Sequence, residues 1–589
     1  MEQYYSSERN VQILISLMKQ HGIKKVVASP GSTNVCFVGS IQQDPYFEIY
    51  SCVDERSAAY MAVGLAAECK EPVALSCTGA TASRNYFSAL TEAYYRKLPI
   101  LAITATQDEN KIGNLVPQVL DRTLQPKDIV KWSEHLENIK DDDDAWDVTL
   151  KANRAILELN HHGMGPVHIN LSTKYSKDFT VKTLPTAKAI HRYDALSKNL
   201  PEIKTQKVAV YCGTHLKWTK EEIEAVDAFC EAYNAVVFCD PASNYTGKYK
   251  VNFSLVSSQK YNSENRNPDL LIHIGNMSDM SGIGGQPKET WRVSEDGKLA
   301  DRYRVLTNVF EMPEQTFFSL YAKRHTPQPT TYYESAHKEQ EKVAAEIPEL
   351  PFSHIWVASQ IAPRLPKESV LHLGILAPLR SWSYFDIDNS IEVECNQGGF
   401  GIDGNMSTLI GASLAQPDKI HFGVVGDLSF FYDMNSLGNR HVGKNVRILL
   451  INNSLGAEFI LFKQLNSIYV RDVQKYIAAE GHFGHKSPNL VRDYATDLGY
   501  EYMAAWSKEE FAQCYERFIT PEHTDKPMVF EVFTSPDDEN EALKRMWSII
   551  PEEKSSADAA KSAAKSAVKK VLGKETVDKV KEIVKILKK

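Results

Sequence analysis

The 589-residue sequence predicts an α/β protein: three consecutive α/β domains with mainly parallel sheets, followed by a C-terminal basic amphipathic helix. Three observations predict it. Short apolar runs alternate with amphipathic stretches through residues 1–185, 186–345 and 351–550, and such alternation means parallel strands joined by helical crossovers. A complete βαβ unit is legible between Ile420 and Asn453. The composition then changes near residue 551, where Lys, Ala and Ser take over.

The first block opens with an amphipathic helix, Val11 to His21, whose Val11, Leu14, Ile15, Leu17 and Met18 share one side. Strands follow at Lys25–Ala28, Ile49–Cys52, Val73–Cys77 and Ile100–Thr104, with helices at Ser57–Ala67 and Asn85–Arg96 between them. The four-Asp run Asp141 to Asp144 reads as a solvated loop, because nothing nearby complements it as a metal site. In the second block Val208–Cys212, Val236–Cys239 and Leu270–Ile274 are strands and Glu221–Tyr233 a helix. Gly282-Ile283-Gly284-Gly285 lacks the strand-to-helix setting of a dinucleotide fingerprint. The third block begins with the strand Val370–Leu373, and Val393-Glu394-Cys395 leads into a glycine-rich stretch from Asn396 to Gly404. Such glycine density marks backbone that turns tightly or lies against a ligand.

Composition excludes several classes. A net charge of −8 argues against a nucleic-acid partner. No apolar run approaches 18 residues and the first ten residues are polar, so neither a membrane span nor a signal peptide is expected. The nine cysteines are scattered without a CxxC pair, which suits reduced thiols in a cytoplasmic protein better than zinc or disulfides. Residues 551–589 form the exception. From Lys554 onward eleven Lys face four acidic residues, and Val577, Val580, Val584 and Leu587 share one helical face. This segment suits an anionic membrane surface or an acidic partner, or equally a solvated terminal helix.

The chemistry centres on Ile420 to Asn453. One strand ends at Gly426-Asp427, another at Asn452-Asn453, and Asp433 to His441 supplies the helix between them. Parallel strands joined in this way end at the same edge, where open α/β sheets bind ligands. A carboxylate and an amide oxygen there suit Mg²⁺, although Asp and Asn also serve as ordinary turn residues. In the first block Glu55 stands alone among Cys52, Val53, Ala58 and Ala59. A carboxylate buried there would hold its proton more tightly than usual, and the alternative reading is a helix N-terminal acid.

Glu55 in a first α/β domain, with GD-x24-NN in a third, resembles the thiamine-diphosphate (ThDP) enzymes over residues 1–550. PGST (30–33), VDERSAAYMAVGLA (53–66), CTGATASRNY (77–86), FGIDGNMST (400–408) and GDLSFFYDMNSL (426–437) are similar to the 2-succinyl-5-enolpyruvyl-6-hydroxy-3-cyclohexene-1-carboxylate (SEPHCHC) synthases of menaquinone biosynthesis. The resemblance implies a pyrimidine-binding domain at 1–185, a central domain at 186–345 and a diphosphate-binding domain at 351–550. It implies ThDP with Mg²⁺ or Mn²⁺; FAD is not predicted. Asp427, the Asn453 side chain and the Leu455 carbonyl would hold the metal. Leu428 and Ser429, after Gly426, would meet the diphosphate, and Ile402, beside Gly401, would be the apolar wedge that bends the cofactor. Glu55 from a neighbouring subunit would hydrogen-bond the aminopyrimidine, so that a homodimer or homotetramer shares its sites. The chemistry implied is decarboxylation of a 2-oxo acid through ylide and enamine intermediates, then carbon–carbon bond formation with an acceptor.

The substrate positions depart from that pattern. Ser32, Gln118, Arg380 and Phe459 match. Arginines expected in the family are replaced by Thr33 and Gln397, Asp108-Glu109 stands where another belongs, and Ser278-Asp279-Met280-Ser281 lacks the expected basic residues. The substrates are therefore expected to be less anionic, for example in acyl transfer to a keto-sugar of surface-polysaccharide synthesis at the inner membrane. The alternatives are a SEPHCHC synthase using 2-oxoglutarate and isochorismate, a simple 2-oxo acid decarboxylase, and an idle ThDP-fold scaffold. Gly481 to His485 reads equally as part of a site lid or as a surface loop with two histidines.

Overall fold

A computed structural model describes residues 4–278, 282–461, 473–482 and 486–551. The chain divides into two compact units, Met1–Lys204 with Lys288–Phe317, and Thr205–Pro287 with Phe318–Lys589.

The first unit carries a six-stranded parallel sheet of β1 (Lys25–Ala28), β2 (Glu48–Ser51), β3 (Val73–Cys77), β4 (Ile100–Thr106), β5 (Trp132–Leu136) and β6 (Val167–Ser172), in the order β2-β1-β3-β4-β6-β5. Every residue of β3, β4 and β6 is buried, as expected of inner parallel strands with helices on both faces. The edge strands β2 and β5 are mostly accessible. The sequence reading missed β5 because WSEHL alternates too little apolar character to register as a strand.

The first unit holds β7 (His191–Asp194), and the second holds β8 (Val208–Cys212), β9 (Val236–Cys239), β10 (Lys250–Asn252) and β11 (Leu270–Ile274). The remaining strands, β12 (Glu289–Val293) and β13 (Leu306–Glu311), belong to the first unit. The second unit also holds a six-stranded parallel sheet of β14 (Val370–Leu373), β15 (Glu392–Cys395), β16 (His421–Gly426), β17 (Val446–Asn452), β18 (Glu501–Ala505) and β19 (Met528–Phe533). Its order, β15-β14-β16-β17-β19-β18, repeats that of the first sheet strand for strand. The fold is thus α/β with three parallel sheets, as the alternation predicted. No helix among the described residues is long and apolar enough to cross a membrane. The predicted tail lies outside the described residues from position 552 onward.

Two expectations are corrected. The Asp141–Asp144 run is not a loop but opens the helix Asp142–Glu158. Asp141 caps it by accepting the Asp144 N–H at 2.9 Å, and the next three carboxylates face the positive end of the helix dipole. The helix expected over Asp433 to His441 starts earlier, as Asp427–Asp433, and continues as a 3₁₀ turn over Met434–Gly438. Strand β16 therefore passes into the helix with no loop, and Asp427 is itself the first helical residue.

Candidate active site

In the second unit the chain reverses across the sheet between β14 and β16, the place where open parallel sheets bind ligands at their carboxyl ends. Asp427 follows β16, and Asn453 follows the neighbouring β17, which pairs Gly426 with Ile451. Asp427 is 3% exposed. Its Oδ1 accepts the Leu428 N–H at 2.9 Å, and its Oδ2 lies 3.0 Å from His482 Nε2. The Oδ1 of Asn453 is buried with no hydrogen-bond partner. An acceptor left orphaned in this way costs about 1–3 kcal/mol unless something fills it. Beside a buried carboxylate, the group that fits is a hard divalent cation. Leu455 is buried in the same turn, and Ser454 adopts φ 66° to shape it.

The residues around this pair are held by one another. The Ser429 hydroxyl donates to the Ile402 carbonyl at 2.7 Å and accepts from Asn405 Nδ2 at 2.8 Å, which ties the Gly401-Ile402 loop to the helix that starts at Asp427. Phe400, just ahead of that loop, sits at φ 56°, a strained conformation for a bulky residue. Gly456 is pressed so close to Leu428 that a Cβ there would lie 3.1 Å from Leu428 Cδ1 and 3.3 Å from Phe459 Cδ2. Behind the site Glu531 is 1% exposed, with Oε1 accepting from Asn452 Nδ2 and Oε2 from the Tyr502 hydroxyl, each at 2.7 Å. Burial raises its pKa to about 7 against those two donors, and the Asp427 charge pushes the same way.

Arg380, on the short helix Ala377–Trp382 after β14, is expected to receive a substrate carboxylate. Its guanidinium meets Glu458 instead, Nη1 to Oε1 at 2.8 Å and Nη2 to Oε2 at 2.6 Å. Gln397, also expected at the substrate, is 1% exposed and donates to Thr214 Oγ1 at 2.6 Å. Of the predicted lid, His482 reaches Asp427 as described; ahead of it Ala478 O accepts the Gly456 N–H at 2.6 Å. Residues 483–485 of that lid, and 279–281 of the loop expected to be basic, lie outside the described residues.

In the first unit Glu55 is the first residue of the helix Glu55–Cys69, capped by Asp54, whose Oδ1 accepts the Ser57 N–H at 2.8 Å. It is half-buried within one chain, and around it Val53, Tyr60 and Met61 are exposed at 77%, 47% and 41%. Ser32 and Gln118 line one cavity of about 610 Å³ together with Gln107, Tyr175, Lys177 and Phe179. Gln118 holds a left-handed φ of 65°. Thr33 is 1% exposed, donates to Ala105 O at 3.1 Å and accepts the Gly79 N–H at 3.2 Å. Asp108 and Glu109 are engaged with Asn138 and His135.

Sequence reading missed two residues here and one contact. Glu458 gave no signal because its partner, Arg380, lies 78 positions away, and the contact of the lid residue His482 with Asp427, 55 positions away, was equally illegible. Arg122, in the polar run DRT, is 1% exposed, and its Nε and Nη1 have no hydrogen-bond partner. It packs beside Gly79, at the carboxyl end of β3.

A sheet repeated in one topology, with a carboxylate and an orphaned amide oxygen at the switch point of the second copy, is the ground plan of a thiamine-pyrophosphate enzyme. The profile of the thiamine pyrophosphate enzyme N-terminal TPP binding domain matches residues 9–128. The chain is 32% identical over 577 residues to the SEPHCHC synthase of Phocaeicola vulgatus, spanning 92% of this chain and 98% of that protein. It is 32% identical over 574 residues to that of Bacteroides thetaiotaomicron, with the same two shares. Against the Porphyromonas gingivalis synthase the identity is 27% over 592 residues, covering 93% of this chain and 98% of that one. The chain belongs to the family of thiamine-diphosphate-dependent enzymes that contains the SEPHCHC synthases.

Proposed function

We propose that the protein is a ThDP- and Mg²⁺-dependent carboligase that decarboxylates a 2-oxo acid and joins the remaining fragment to an acceptor, with a donor less anionic than 2-oxoglutarate. Asp427, Asn453 Oδ1 and the Leu455 carbonyl would hold the metal, and the buried Glu531 behind it would add negative field only when ionised. Ile402 supports the cofactor from below, its loop anchored by Ser429. Bound ThDP supplies the electron sink that decarboxylation needs.

Glu55 would hold a proton against the aminopyrimidine ring nitrogen and favour the tautomer that takes up the thiazolium proton. It would do so from a second copy, and the exposed Val53, Tyr60 and Met61 beside it support a homo-oligomer that covers them. Ser32, Gln107, Gln118 and Lys177 offer the acceptor hydroxyl-binding groups and one cation in place of several arginines, which suits a keto-sugar.

The observation that carries the substrate reading is the Arg380–Glu458 pair. A guanidinium already gripped by a carboxylate in two parallel hydrogen bonds has its best carboxylate-receiving face filled. The test is CO₂ release from a panel of 2-oxo acids with ThDP and Mg²⁺, with and without keto-sugar acceptors or isochorismate. Monocarboxylic donors should be turned over at least 10-fold more efficiently than 2-oxoglutarate, a difference of about 1.4 kcal/mol. Preference for 2-oxoglutarate with isochorismate would make the protein a SEPHCHC synthase and end this reading.

A further inference from the structure

We propose that His161, His162 and Glu311 bind one divalent cation of borderline softness, Zn²⁺ being the reference ion, at a site in the first unit that the ThDP reaction does not use. They are the one cluster of three or more metal-ligating side chains among the described residues whose ligand atoms lie within 4.8 Å of one another.

The hydrogen bonding within the cluster is short of positive charge. His161 Nδ1 lies 2.9 Å from Glu158 Oε2, and its Nε2 lies 2.8 Å from Glu311 Oε2. A neutral imidazole has one N–H, and an ionised carboxylate only accepts. One of the two contacts therefore lacks a hydrogen unless a cation joins it, either a second proton on the ring or a metal ion at Nε2. The other oxygen of Glu311 meets His162 Nε2, so both oxygens of one carboxylate face ring nitrogens.

The geometry suits the metal. Bonds of about 2.1 Å in a tetrahedron space the ligands about 3.4 Å apart, so a small rotation of the rings opens the needed gap. Two His and one Glu are an established zinc set that leaves the fourth position for water or substrate. Here that position would open on a cavity of about 490 Å³ lined by the same three residues.

The surroundings are already built. Glu158 on His161 Nδ1 is the carboxylate–histidine arrangement that fixes tautomer and ring orientation in metal sites. Arg192 Nη1 holds Glu158 Oε1 at 2.9 Å. Lys131 Nζ donates to the carbonyls of Glu158 at 3.1 Å, Gly163 at 2.6 Å, and His161, pinning the turn. His162 adopts φ 46°, and its ring lies 3.9 Å, centroid to centroid, from that of His161.

The experiment uses the full chain without a polyhistidine tag, stripped of metal and resupplied with ThDP and Mg²⁺. Zn²⁺ is titrated by calorimetry, and Co²⁺ by visible absorption. The expected result is one equivalent per chain at micromolar affinity or tighter, with the intense bands of four-coordinate Co²⁺. Glu311→Gln and His161→Gln should each weaken binding at least 10-fold, and Glu158→Gln, which only reorients His161, about 10- to 100-fold. Thermal melts without zinc verify that the variants fold, and Zn²⁺ should raise the melting temperature of the wild type but not of Glu311→Gln. Equal isotherms for wild type and Glu311→Gln overturn the proposal. So does an absence of binding, which would leave a protonated His161 as the cation between the two glutamates.

Discussion

Arg380, on the short helix after β14, and Glu458, in the 3₁₀ turn Ala457–Phe459 after β17, form a two-bonded ion pair with side chains only 14% and 19% exposed. An arginine that the family resemblance assigns to a substrate carboxylate is thereby matched to a carboxylate of the chain itself. Glu458→Gln keeps the volume and one hydrogen bond but removes the competing charge. The variant should gain at least 10-fold in relative kcat/KM for 2-oxoglutarate over a monocarboxylic donor, since a charge-assisted contact is worth about 1.5–3 kcal/mol. An unchanged ratio in steady-state kinetics would show that Arg380 is structural and takes no part in donor choice.

His482 occupies Asp427 Oδ2, one of the oxygens a metal would need. A metal bound through this oxygen would compete with the contact. His482→Ala should tighten apparent Mg²⁺·ThDP binding about 5-fold, the value of one ordinary net hydrogen bond near 1 kcal/mol. Quenching of intrinsic fluorescence on cofactor titration measures it. Weaker binding would mean that His482 assists loading, as part of a closed lid.

The strands that carry Asp427 and Asn453 were legible because parallel strands buried on both faces are written as apolar runs such as VRILLIN, closed by turn residues. Glu55 was legible only through its motif. The partner that Arg380 meets was not legible. Glu458 belongs to a turn with no periodicity, and only the folded chain shows that it reaches Arg380. Thr33 and Gln397 looked like lost substrate contacts, but burial gives them structural partners instead. The Asp141 run misled because a string of like charges reads as solvated whether it lies in a loop or at a helix N-terminus.

If Glu55 serves the site of a second copy, two inactive chains can repair each other. Glu55→Gln and Asp427→Ala should each be inactive alone. Unfolded together and refolded as an equal mixture, they should recover roughly a quarter of wild-type activity. In a two-fold dimer half of the molecules are mixed, and each of those has one intact site of two. No recovery, with mixed dimers demonstrated by mass spectrometry, would place Glu55 in its own chain's site.

Arg122 is buried beside Gly79 with two nitrogens unpartnered, and burial lowers its pKa to about 10. A buried charge of this kind is expensive and gives the fold little in return. Arg122→Met should leave stability unchanged or raise it by about 1 kcal/mol, while kcat/KM for the acceptor falls at least 10-fold if the guanidinium serves ligand binding. Chemical denaturation and acceptor kinetics separate the two effects. Lost stability with unchanged kinetics would identify Arg122 as part of the packing alone.

Glu539 links pH to stability. It lies on the helix Pro536–Met546, and its Oε1 accepts both the Thr534 hydroxyl at 2.7 Å and the His354 N–H at 2.9 Å. Burial raises its pKa to about 7, against those donors and the nearby Arg380 charge. Both donors converge on Oε1, so Oε2 carries the proton and an amide at this position imitates the neutral acid. Below about pH 4.5 the group is protonated in the folded and unfolded chains alike, and its contribution is fully present. As pH rises toward 7 the unfolded chain releases the proton first, and that contribution is lost. Glu539→Gln should therefore match the wild type near pH 4.5 and exceed it by on the order of 3 kcal/mol above pH 7. Urea denaturation across that range checks it, and a difference that does not grow with pH would mean that the folded chain keeps Glu539 ionised.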